Sequence, residues 1–134
     1  MNKDEFTEAC FIEIERAIDF SEKARKCGLL ILEEELENLD NEKSDILKMG
    51  LRLTVEGTDR DIIDKILSNI VNREKNKYLF LLKTIQKETV LMIQEGINTS
   101  IIVLVLNSYT DIPFNDPRFK KFLEDHSLLY KEST

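Results

Sequence analysis

FTEACFIEIERAIDFSEKA, residues 6–24, decides the fold class. Its apolar residues recur at Phe6, Cys10, Ile14, Ala17/Ile18 and Ala24, steps mostly of three and four that give an α-helix one buried stripe. Glu13, Glu15, Arg16 and Asp19 are expected to face largely away from it. The chain has 134 residues, 34% charged and 42% hydrophobic, with four glycines and two prolines. That balance fits helices better than a β-sandwich or a disordered tail, and the length fits one domain with one core. The expected fold is all-α, a compact helical bundle formed by residues 1–134.

Beyond Ala24, Gly28 either ends the first helix or loosens it, and Leu29, Leu32, Leu36 and Leu39 continue the rhythm as a second stripe up to a break at Asp40 and Asn41. Ser44 is a candidate N-cap for a short helix with Ile46/Leu47, Leu51 and Thr54 or Val55 inward, stopped at Gly57. Thr58 is expected to cap the next helix, with Asp61 three residues on, and Asp59 and Asp61 favour its positive end. Helical spacing then runs from Ile62/Ile63 through Tyr78 and Ile85 to Met92. It predicts one long helix over about 59–95, in which NREKNK (72–77) is either a solvated stretch or a kink. The β-branched run Ile101–Val105 is ambiguous by period, and the lack of a partner strand favours helix. Asp116 and Pro117 open a C-terminal helix whose apolar face holds Phe119, Phe122/Leu123 and Leu129.

The net charge of −7 argues against a nucleic-acid binder, which would present a basic patch to phosphates. The N-terminus lacks the basic start and apolar block of an export signal. Polar residues at 94–98 interrupt the most apolar region, TVLMIQEGINTSIIVLVLNSY (89–109), while a membrane span needs about 20 mostly apolar residues. A soluble cytoplasmic protein without membrane insertion is expected, with Cys10 and Cys27 as reduced thiols. His126 has no partner constellation for catalysis or metal binding, EEELE (33–37) reads as a solvated helix face, and the glycines form no phosphate loop. The aromatic residues read as packing residues. Hence no enzyme, cofactor or metal is expected.

The segment SEKARKCGLLILEEELENLDNEKSDILKMGLRLTVEGTDRDIIDKILSNIVNREK (21–75) resembles the cytoplasmic region of the flagellar motor stator A subunit (MotA), of the MotA/TolQ/ExbB group. It repeats, in order, an AR(K/R)-x-G-L-L-x-L-E segment and an L-x-x-G-L-x-L-x-V-x-G-T-D element. The resemblance is strongest over 17–75 and leaves 110–134 as an extension without counterpart. It implies that Arg25 and Glu33, at the family's rotor-contacting positions, together with Lys26 and Glu34, present charge to a protein partner, a flagellar rotor or stator component. On an unbroken helix, eight residues rise about 12 Å, so Arg25 and Glu33 would be too far apart to pair and each would face an external partner. Cys27 stands where the family is commonly acidic, and the membrane spans have no counterpart here. The expected function is non-catalytic protein interaction around a flagellar motor, in the cytoplasm or peripheral to the inner membrane. The alternative is a self-associating scaffold, a homo-oligomer built through Ile97–Leu106 or the last helix.

Overall fold

Asn2 sets where the chain first becomes helical. Its side chain accepts from the Glu5 N–H at 2.8 Å while Glu5 reaches back to the Asn2 N–H, a reciprocal cap that starts α1 (Lys3–Cys27) three residues before the apolar stripe. The computed structural model describes residues 1–38 and 45–126. Its described helices continue as α2 (Ile31–Glu37), α3 (Asp45–Val55), α4 (Arg60–Val71), α5 (Lys77–Gln94), α6 (Thr99–Asn107) and α7 (Pro117–Asp125), with no strand among the described residues. The all-α expectation holds. The expected break at Asp40 and Asn41, the Ser44 cap, and Leu39 and Leu129 fall outside the described residues.

The single helix over 59–95 is replaced by two. At Asn72 the backbone N–H closes on Ser68 O, and at Asn76 the side chain accepts from the Tyr78 and Leu79 N–H groups, capping a new helix. Glu74 between them accepts from the Asn76 N–H at 3.0 Å and from Lys83 Nζ at 2.8 Å. NREKNK is therefore a turn with its own polar clamp, and α4 folds back to pack on α5.

α5 is the hub, packing against α1, α3, α4 and α6. Leu82, Ile85, Val90, Leu91, Met92 and Ile93 are buried around it. That many buried positions need partners on more than one side, which the surrounding helices supply. The closest approach is at Gly50 of α3: a Cβ placed there would stand 2.7 and 2.8 Å from the two Val90 methyls and 3.0 Å from Leu67 Cδ1. α3 contributes Ile46, Leu47, Leu51 and Thr54 to the interior and ends on Gly57 at φ +84°. There the Gly57 N–H reaches Thr54 O and the Thr58 N–H reaches Leu53 O, a Schellman closure. The expected Thr58 cap is thus corrected: Thr58 belongs to the end of α3, and Asp59 holds the N-cap position of α4 without a side-chain bond to it.

The run Ile101–Val105 is helical, inside α6, which packs along α1 and α5. The Ser21 and Thr99 hydroxyls meet at 2.7 Å in the buried seam between α1 and α6. α7 begins as expected, with the Asp116 side chain accepting from Arg118 N–H and Phe119 N–H and Pro117 in the first turn. It meets α1 through Phe122, whose ring meets Phe11 edge-on at 5.6 Å, and its Phe119 is fully buried with its ring stacked on that of Phe122. Arg118 pairs with Glu8 through its two terminal guanidinium nitrogens and lies over the Phe11 ring at 4.2 Å. That guanidinium holds the Glu8 carboxyl below its ordinary pKa, so the pair supports the fold at neutral pH and loses its effect as pH falls through the lowered value. Among the aromatic residues Phe114 departs from the packing expectation, being 52% exposed with its ring edge toward Phe119.

Candidate functional site

α1 ends on charge. Arg25 and Lys26 occupy its last turn, where cations oppose the negative end of the helix dipole, and Glu33 and Glu34 occupy the first turn of α2, where anions oppose the positive end. Gly28 makes the corner between them at φ +84°, ψ 167°, a conformation that suits a residue without Cβ, and its N–H closes on Ala24 O. The corner turns α2 back onto α1, and Lys23 Nζ meets Glu35 Oε2 at 2.8 Å across the two arms. Leu32 and Leu36 are buried under this hairpin, whereas Leu30 at its tip is 73% exposed.

Of the two alternatives at Gly28 the fold takes the helix end, so the condition of an unbroken helix is not met and Arg25 and Glu33 stand on two arms. Arg25 is not left for an outside partner alone, because its Nη1 donates to Gly96 O at 3.3 Å and so braces the tip against the turn after α5. Lys26, Glu33 and Glu34 are exposed, and their side chains make no ion pair or hydrogen bond among the described residues. The structure thus brings the four expected residues to one corner and divides them into one brace and three outward charges.

A second polar feature was not legible in the spacing. Glu13, expected to face away, is buried at 9% exposure because α5 crosses α1 there. Its Oε1 accepts from Arg16 Nη1 at 3.2 Å, and Gln86 of α5 hydrogen-bonds to it. It sits in a cleft of about 490 Å³ bordered by Ala9, Ile12, Ile46, Leu79 and Leu82. Burial pushes its pKa up, and Arg16 and Gln86 pull it back only in part. Since the folded value lies above the unfolded one, the contribution to stability is full below the unfolded pKa and is lost as pH rises through the folded pKa. We expect Glu13→Gln to gain stability over the native chain on going from about pH 4 to about pH 8 in urea titrations. A variant that loses ground as pH rises would show that the Arg16 pair outweighs burial.

His126 closes α7, its ring 4.7 Å from that of Phe122. Among the described residues no three metal-ligating side chains come together, and no helix is long and apolar enough to cross a membrane.

With a charged corner and an amide-clamped bundle in place, comparison with known proteins indicates kinship. Part of the chain is similar to Motility protein A. The Motility protein A of Treponema pallidum (strain Nichols) is 32% identical over 65 residues, 48% of this chain and 24% of that protein, and that of Treponema phagedenis gives the same values. The Borreliella burgdorferi Motility protein A is 44% identical over 50 residues, 37% of this chain and 18% of that protein. The chain thus spans about a quarter or less of the length of these relatives. No family model matches, and no solved structure matches. Leu47, Gly50, Leu51 and Gly57 of the L-x-x-G-L-x-L-x-V-x-G-T-D element are explained by packing and helix closure within this bundle. At the α1–α2 corner the charges suit the helix ends, Lys23 pairs with Glu35 and Arg25 braces Gly96 O, while the Lys26, Glu33 and Glu34 side chains are left exposed.

Proposed function

We propose that the chain is a non-catalytic helical interaction module associated with a flagellar motor, in a structural or regulatory role, and that the α1–α2 corner is the surface its protein partner touches. The observation that carries this reading is the outward placement of Lys26, Glu33 and Glu34 around exposed Leu30, within the segment that resembles the stator cytoplasmic region. Apolar burial beneath the corner and the Lys23–Glu35 pair fix the arms, so the outward charges keep their order. Such charges steer and orient a partner more than they hold it, and Leu30 supplies the apolar contact that exposed ion pairs lack. Arg25 acts here as a positioning residue as well as a charge.

Crosslinking capture from native cells tests the reading with the wild-type chain, an Arg25→Glu/Glu33→Lys variant and a Lys26→Glu/Glu34→Lys variant. We expect both variants to lose one specific motor-associated partner, with recovery falling about tenfold and wild-type capture weakening with added salt. The second variant leaves the Arg25 brace intact, so its loss reports the surface and not the fold. Capture unchanged in that variant at every salt concentration would remove the proposed mechanism.

A further inference from the structure

The corner is self-complementary. Lys26 lies three residues beyond Lys23, whose amine reaches α2, so it sits on the same side of α1 and nearer the tip. Leu30 already has helical backbone angles, and Glu34 follows it by four residues, which puts both on the outer face of α2. The tip therefore reads, from one arm to the other, as cation, exposed leucine, anions. We propose that it pairs with the tip of a second copy of this chain about a two-fold axis, Leu30 against Leu30 and Lys26 of each copy facing Glu34 of the other. A two-fold axis reverses the order of the arms, so opposite charges meet on both sides of the leucine contact. A wholly acidic partner would oppose Glu33 and Glu34, and a wholly basic one would oppose Lys26. An occupant of mixed charge around an apolar centre fits, and the chain carries one itself.

The contact is small, below the roughly 1,200 Å² of a stable interface, and each copy carries a net charge of −7. Pairing is therefore weak and reversible. It tightens when moderate salt screens the long-range repulsion and loosens again when high salt screens the contacts themselves. It shares its surface with the proposed partner contact but does not depend on it: purified chain alone tests pairing, and capture from cells tests the partner.

Sedimentation velocity of the full chain over a range of concentrations, with Lys26→Glu, Glu34→Lys and their equimolar mixture, decides the matter. The wild type is expected to show a reversible, concentration-dependent rise in weight-average mass. Either variant alone, which brings like charges together on both sides, weakens association at least about tenfold. The mixture restores it, because in the mixed pair both contacts again join opposite charges. Leu30→Ser, an exposed change that leaves the core untouched, also weakens it and serves should either charge variant misfold. A wild type that stays monomeric throughout, a mixture that fails to recover, or an unaffected Leu30→Ser variant overturns the proposal.

Discussion

Gly50→Leu is expected to destabilise the protein by about 3 kcal/mol or more, enough to remove much of the stability of a domain this size. Even the alanine variant is expected to lose about 1–2 kcal/mol, although alanine favours a helix interior over glycine by about 1 kcal/mol. The reason is the 2.7 and 2.8 Å approach of the Val90 methyls to a Cβ at that position. Val90 lies inside α5, where a β-branched side chain has one strongly preferred χ1 rotamer and cannot swing aside. α3 and α5 would have to separate. Urea titration of Gly50→Ala, Val90→Ala and the double variant checks this: the double variant should be more stable than the sum of the single losses predicts. A Gly50→Ala variant more stable than the native chain would mean that the two helices are not in close contact there.

Phe119→Ala is expected to cost about 3–5 kcal/mol, the range for deleting a fully buried aromatic ring. α7 is short, and Phe119 is its most deeply buried anchor, with Leu123 beside it and the Arg118–Glu8 pair exposed at the edge. The loss should therefore be largely local. Amide hydrogen exchange in residues 117–125 should rise towards that of an unstructured peptide while α3 and α5 stay protected. Exchange in α7 unchanged from the native chain would contradict the anchoring assigned to Phe119.

Much of this architecture could be read from residue order because it rests on local chemistry. The three-four spacing of Phe6, Cys10 and Ile14, the stop at Gly57 and the Asp116–Pro117 start each depend on a few neighbouring residues. Residue order is silent where a distant element decides the outcome. Apolar spacing stays in phase across Asn72–Asn76, so nothing periodic marks the break; the two asparagines were the available signal, and their effect depends on Lys83 reaching back to Glu74. Glu13 looks like a surface residue until α5 covers it and Gln86 offers a hydrogen bond. The corner is legible in its residues but not in its shape, since the spacing leaves Gly28 as either a helix end or a loosening, and the fold uses its positive φ to turn the chain. The resemblance implies a partner-facing Arg25, and its bond to Gly96 O across 71 positions has no signal among its neighbours.

Central to the proposed function is the α1–α2 corner as a working protein surface. In-cell photocrosslinking tests this most directly, with a photoreactive amino acid at position 30 and, as control, at exposed Lys65 on α4. We predict one dominant adduct to a different protein, of defined mass and distinct from any adduct to a second copy of the chain, from position 30, strongly reduced when Lys26→Glu and Glu34→Lys are introduced together. Adducts at position 30 no more abundant or specific than those at position 65 would contradict it.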